Sequence, residues 1–279
     1  MTTPPVEPPQ YPNAPVTSVA LDVRFPGPSA GRSIGERMQR DLRDRLGEDD
    51  WVVQVRQQAE ITFVASASGA APEPFRTVDL PLFVRRTQFT ALSIESGGLT
   101  LETTQFDDYT AFRDLAELVL VAVANVVEPQ GILRLGLRYI DELRRLTDSP
   151  RVPRQWAEWV DASLVGPKVA EMEDLGYRAR HWRGEVFFET GEERSLILHY
   201  EPRPGPIAYP SGPLLRPRPP DPGPWFLLDF DAVWVPKEIP PFDVARLLEE
   251  CDGLKQPMYA LFELLTTDQL RGVFNKPGG

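Results

Sequence analysis

The sequence predicts an α+β protein made of two related lobes, each an antiparallel β-sheet packed by one or two helices. Three observations lead there. Stretches in which apolar and polar residues alternate with period two are interspersed with stretches whose apolar residues recur every three or four positions. Neighbouring period-two stretches are joined by short glycine-containing turns, the mark of antiparallel hairpins. A strand leading through an acidic connector into an amphipathic helix occurs twice, as a duplication would leave it. The first copy runs from 99–102 to Phe112, Leu115 and Leu118, and the second from 227–229 to Phe242, Leu247 and Leu248. The 279 residues, 42% hydrophobic and 25% charged, suffice for one large domain or two lobes at roughly 100–200 residues per domain. The expected division is a Pro-rich tail at 1–15, a first lobe at 16–148 and a second at 149–279, with a Pro-rich loop at 202–224.

Six prolines within 4–15 leave the tail too poor in apolar residues to pack alone. A strand over 16–25 follows, with Val19, Leu21 and Val23 on one face and Ser18, Asp22 and Arg24 on the other. Ser33 is the expected N-cap of a helix through Leu46, closed by Gly47. Strands are expected over 51–64 and 75–88, then a hairpin over 89–104 turned at Gly97-Gly98. The helix over 106–127, opened by Asp107 or Asp108, carries Val119, Val121, Val123, Val126 and Val127, a poor set by propensity, so burial must hold it. A strand over 132–143 sets Leu133, Leu135, Leu137 and Tyr139 against Arg134, Gly136, Arg138 and Ile140. The second lobe is expected to hold an interrupted helix at 156–175 and a hairpin of 177–189 with 194–201. A strand at 226–235 follows, and helices at 242–250, 258–265 and 268–274, with Pro257 and Thr267 at the starts of the last two. Ten prolines over 202–224 exclude a sheet interior and predict an exposed loop.

Thirty basic against forty-one acidic residues give a net charge of −11, which opposes a phosphate-binding surface and makes nucleic acid an unexpected partner. The basic residues are four lysines and 26 arginines, so any local positive patch is a guanidinium patch suited to bidentate acceptors. Arg85, Arg86, Arg178, Arg180 and Arg183 fall on expected strands, where they suit a solvated sheet face as well as a phosphate-reading one. The single cysteine, Cys251, rules out an intramolecular disulfide, and its neighbours Glu249, Glu250 and Asp252 disfavour a thiolate. The longest strictly apolar run, 118–124, is seven residues where a membrane span needs about 20, and no leader-like start is present. A cytoplasmic location away from membranes is the expectation.

No nucleophile elbow, phosphate loop, dinucleotide fingerprint or zinc-protease helix occurs, so no catalytic residue, metal or cofactor is expected. His181 and His199 fall on neighbouring strands but lack a recognised ligand spacing. Asp107, Asp108, Asp229 and Asp231 fit capping and turns better than acid–base chemistry. The candidate ligand-binding residues are Asp22, Arg24 and Arg138, charges on strands otherwise rich in apolar residues, which either pair with one another or hold an anion. The candidate partner-contact residues lie in and beside the Pro-rich loop: Pro204, Pro206, Tyr209, Leu214, Leu215 and Trp225. A preordered proline segment binds at a smaller entropic cost. Trp156, Trp159, Trp182 and Trp234 are assigned to the core of the second lobe.

Four segments carry a family resemblance: 11–15 (YPNAP) leading into 19–25 (VALDVRF), 135–141 (LGLRYID), 226–231 (FLLDFD) and 262–266. In their order and spacing the chain resembles a bacterial family of sporadically distributed conserved hypothetical proteins. The resemblance implies a bacterial origin and the patchy occurrence of mobile or defence-linked genes, and it brings no catalytic residue. Members often have a histidine before the helix near the end, where this chain has Leu254-Lys255-Gln256, which argues against a histidine-dependent activity. The expected function is a non-catalytic protein-binding or regulatory subunit of a defence, toxin-neutralising or mobile-element-linked system. It would act through an unidentified protein partner, with homo-oligomerisation open. The alternative is a sensor or enzyme for a small phosphorylated ligand held between the lobes by Arg24 and Arg138.

Overall fold

The computed structural model describes residues 11–26, 32–46, 50–60, 63–66, 69–72, 76–95, 97–144, 153–166, 169–177, 179, 181–203, 212–217 and 223–275. Its centre is one mixed α+β body on a single antiparallel sheet of nine strands. These are β1 (Val16–Arg24), β2 (Trp51–Glu60), β5 (Arg76–Arg85), β6 (Thr90–Glu95), β7 (Gly98–Thr103), β8 (Arg134–Leu143), β9 (Gly184–Gly191), β10 (Arg194–Arg203) and β11 (Trp225–Trp234). A separate hairpin, β3 (Phe63–Ser66) and β4 (Gly69–Pro72), extends beyond β2 in sequence. The strand order is β2-β5-β6-β7-β1-β8-β11-β10-β9. The first and last parts of the chain therefore meet where β1 pairs β8, with Leu21 opposite Leu137. Outward from that pair the order is β7, β6, β5 on one side and β11, β10, β9 on the other.

The main helices, α1 (Arg32–Leu46), α2 (Tyr109–Val127) and α5 (Val244–Leu265), share one core with one face of the sheet. Helix α1 packs on β5, β2 and α2, while α5 packs on α2, β8, β10 and β11. Strand alternation supplies that face: Val19, Leu21 and Val23 from β1, Leu135 and Leu137 from β8, and Phe226, Leu228, Phe230, Ala232 and Trp234 from β11 are all buried. Burial does hold α2, whose Phe112, Ala116, Val119, Leu120, Val123 and Val127 all turn into the core. Its N-cap is Asp108, whose carboxylate accepts the Ala111 N–H at 2.8 Å.

Five elements differ from the sequence expectation. The strand expected over 51–64 is β2 only as far as Glu60, and Phe63 belongs to the separate hairpin of β3 and β4. The two helices expected on either side of Pro257 are one helix, α5, with the proline inside it. A proline in a helix interior forfeits one hydrogen bond. Leu247, Leu248, Cys251, Leu254, Met258, Phe262 and Leu265 form an unbroken buried stripe across that position and outweigh the loss. The helix expected at 156–175, interrupted at Gly166-Pro167, does break at Gly166 ahead of α4 (Val169–Asp174), but its first part is only α3 (Pro153–Trp156) and a 3₁₀ turn (Ala162–Val165). The strand expected from 177 begins only at Gly184. Helix α1 begins at Arg32, so Ser33 lies inside its first turn instead of capping it. The last helix, α6 (Asp268–Phe274), is capped by Thr267 as expected.

Candidate functional site

The sheet face opposite the helices carries the charged residues singled out from sequence. Asp22 and Arg24 do pair, through Nε–Oδ1 at 3.1 Å and Nη2–Oδ2 at 2.7 Å. Arg138 stands apart from them. It makes a two-pronged pair with Asp229 across the β8–β11 boundary, at 2.8 and 2.7 Å. Asp22 is shared instead with Arg134 at 2.5 Å and with the Thr100 hydroxyl, while Arg24 reaches Glu95 at 2.9 Å. Gly136, opposite Asp22, makes the Arg134 contact feasible: a Cβ there would stand 3.0 Å from Arg134 Nη1. The Asp229 hydrogen bond outweighs burial and raises the pKa of Arg138; at Arg24, burial opposes the charge but the bonds to Glu95 and Asp22 prevail. His199 lies between Glu185, 2.7 Å away, and Asp229, 3.8 Å away, while His181 pairs with Glu201 at 3.7 Å, so the two histidines have separate partners. Among the described residues no group of three or more His, Cys, Asp or Glu side chains is arranged to hold a metal ion. No described helix is long and apolar enough to cross a membrane.

The Pro-rich segment departs from the expected free-standing loop where it is described. The Leu215 amide donates to the Gln88 carbonyl at 2.7 Å, and its own carbonyl accepts the Thr104 hydroxyl. Leu214 is buried against Val84 and Ala91, so this stretch straps the sheet. Arg216 and Arg144 converge on Glu142, whose side chain is 1% exposed, and Arg144 also donates to the Gly223 carbonyl at 2.8 Å. A buried carboxylate is stable only with such partners. Of the expected contact residues, Leu214 and Trp225 belong to the protein's own interior and Leu215 is exposed; Pro204, Pro206 and Tyr209 lie outside the described residues.

The helix side holds a feature of another kind. Between the start of α2, the middle of α5, the segment 11–16 and strands β8 and β11 lies a cavity of about 200 Å³. Phe106, Tyr139, Phe230, Met258 and Phe262 line its interior, and Tyr11, Asp107, Asp108, Lys255 and Tyr259 also border it. Elements far apart in sequence set these positions. Asn13 donates to the Phe274 carbonyl and Tyr11 to Glu263, fixing the N-terminal segment on α5 and α6. Tyr109 donates to Asp252 at 2.7 Å, tying α2 to α5, and the Lys255 ammonium lies 4.4 Å from the centre of the Tyr109 ring.

Two polar groups in this lining lack partners. The Tyr139 hydroxyl and Asp141 Oδ1 are buried and make no hydrogen bond among the described residues, and Asp141 is 3% exposed. Burial, with the neighbouring Asp229 carboxylate adding to it, pushes the Asp141 carboxyl up to about 8, and burial likewise pushes the Tyr139 hydroxyl up. A buried polar atom left unsatisfied is costly, and sites that tolerate one are enriched in functional roles. Sequence reasoning passed over both residues while placing Tyr139 correctly on the apolar face. The usable signal was the register itself: Asp141 follows Leu135, Leu137 and Tyr139 at period two, so an acid falls where a core residue belongs.

No protein-family model matches the chain, and no curated protein sequence is significantly similar to it.

Proposed function

We propose that this protein is a non-catalytic binding module for a small organic molecule, seated in the cavity between α2, α5 and β8. The observation that carries this reading is the pair of unsatisfied polar groups, Tyr139 OH and Asp141 Oδ1, in an otherwise apolar and aromatic lining. Pockets of this make-up, apolar with a few convergent polar groups, are the usual form of small-molecule sites. Its volume suits a compact ligand, since a cavity of about 150 Å³ accommodates benzene. The alternative seat, Arg24 and Arg138 holding a phosphorylated ligand, would require both to leave Asp22, Glu95 and Asp229, so the cavity is the better supported site. Ligand-observed NMR with a set of small fragments tests the reading. Saturable binding that is lost in Ala14→Trp, which places an indole in the lining, supports it; no saturable binding by any fragment sinks it.

A second reading, the regulatory protein-binding subunit expected from the family resemblance, has one specific support in β9. This strand forms an outer edge of the sheet, and Val186 and Phe187 on it are exposed. An open edge is a template for an added strand. Glu185 and Glu189 flank Phe187 symmetrically, so self-pairing centred there would oppose like charges, whereas a basic extended segment of a partner protein would meet complementary ones. Slowed amide exchange confined to β9 on adding a peptide of alternating lysine and valine supports this reading, and unchanged exchange there removes it. We propose also that the two halves are related lobes arising by duplication; the shared outward strand order on the two sides supports it, and it favours a joint between α2 and β8, ahead of the division expected at 148–149.

A further inference from the structure

The cavity's chemistry narrows the class of ligand, on the premise that the cavity binds a small molecule at all. Asp141 lies under the pocket without an ion pair among the described residues, and its Oδ1 and the neighbouring Tyr139 hydroxyl are unsatisfied. The two central strands offer a built-in comparison. Two and four residues beyond the Leu21–Leu137 pair come Val23 on β1 and Phe25 just after its end, both buried, with Phe25 packed edge-on against Phe242. The positions on β8 are Tyr139 and Asp141. The same place relative to the pair is filled by hydrocarbon on one side and, on the other, left as a cavity floored by a hydroxyl and a carboxyl.

The rest of the lining tells anion from cation. Among the described residues that border the cavity, three are acidic, Asp107, Asp108 and Asp141, one is basic, Lys255, and none is an arginine. The start of α2 would favour an anion, but its Ala111 amide is already bonded by Asp108, so the helix end is capped by the chain's own carboxylate. Aromatic rings supply the walls, and their negative π faces attract cations. One of them, Tyr109, already lies against an ammonium, that of Lys255. We infer that the ligand is an organic cation, a compact substituted ammonium held among the rings of Phe106, Tyr139 and Phe230 with its charge opposed by Asp141.

The probes are choline, whose quaternary charge cannot titrate, and its uncharged carbon isostere 3,3-dimethylbutan-1-ol. The full chain is titrated with each, following aromatic and methyl NMR shifts. The expected result is choline binding at least about tenfold tighter than the alcohol, with Asp141→Asn bringing the two affinities close to equal by weakening choline alone. Choline affinity should also rise between pH 6 and 8, by up to tenfold per unit, because Asp141 must lose its proton to oppose the charge. The other titratable groups bordering the cavity among the described residues are Tyr139 on β8, Asp107, Asp108 and Tyr109 at the start of α2, Lys255 and Tyr259 on α5, and Tyr11; Asp229 acts on the Asp141 carboxyl from the opposite face of the sheet, and Cys251 on α5 acts on Tyr139. The Asn variant isolates Asp141 from them by flattening the profile. Equal binding of the two probes to the unaltered chain, or tighter binding of the alcohol, overturns the cation assignment and leaves a neutral-ligand pocket. Failure of both probes to saturate also overturns it, and the pocket reading falls as well only if the fragment set fails too.

Discussion

Replacing Asp141 with asparagine probes the pocket through stability alone, without any ligand. In the folded protein the carboxyl is pushed up to about 8, whereas in the unfolded chain it titrates near 3.9. Between those values the folded state holds one proton that the unfolded state has lost. Stability from this group is therefore fully present below about pH 4 and declines as the pH rises toward 8. The slope is about 1.4 kcal/mol per pH unit, so the unaltered chain should lose on the order of 3 kcal/mol between pH 5 and 7 from this residue. Asparagine keeps the shape of the neutral acid and does not titrate. The difference in unfolding free energy between variant and parent should accordingly move in the variant's favour by about that amount over the same two units, and level off above pH 8. Urea unfolding followed by tryptophan fluorescence at half-unit pH steps gives the curve. The difference removes every other titration the two proteins share. Parallel curves from pH 5 to 7 would refute the idea that Asp141 is a buried neutral acid, and with it the unsatisfied floor of the pocket.

Other residues give sharper local tests. Asp108→Ala removes the cap of α2 and should destabilise the fold by about 1 kcal/mol, measured by the same urea titration, and Asp108→Ser should recover most of that. Arg138→Ala leaves the buried Asp229 with only the more distant His199, and should cost about 1–3 kcal/mol. The double variant Arg138→Ala/Asp229→Asn should cost less than the single one, as a double-mutant cycle will show. Pro257→Ala restores an amide donor within α5 and should raise stability by roughly 1–3 kcal/mol; a fall in the thermal midpoint would mean that the ring's packing matters more than the missing bond. Cys251, buried and with its thiol pushed up to about 12, should resist a thiol reagent at pH 8 until the chain is unfolded.

Local periodicity was enough to place most elements. The alternation in 16–25 and 132–143 gave β1 and β8 with the correct inward faces except at Leu133, which precedes β8 and is exposed, and Thr267 and the Asp107–Asp108 pair were visible as cap positions because a cap is defined by its own few residues. Asp22 and Arg24 were legible as neighbours two residues apart on one strand face, while whether they pair or hold an anion was left open. Arg138 was not assignable to Asp229, because that pairing depends on which strand lies next to β8, and strand order is a property of the whole chain. Pro257 misled for the converse reason. Its local rule ends a helix, and only the core beneath α5 shows that burial on both sides of it outweighs the lost bond. The strapped Pro-rich segment and the Arg144–Glu142–Arg216 cluster are likewise contacts between distant residues.

The sequence by itself determined the mixed α+β character and the strand faces, since each follows from a repeat of two or of three to four residues. Only the tertiary structure decided that the two halves share one sheet, and that Asp141 and Tyr139 floor a cavity. The walls of that cavity come from 11–16, 106–110, 230 and 255–262, and no local rule relates segments so far apart until packing brings them together.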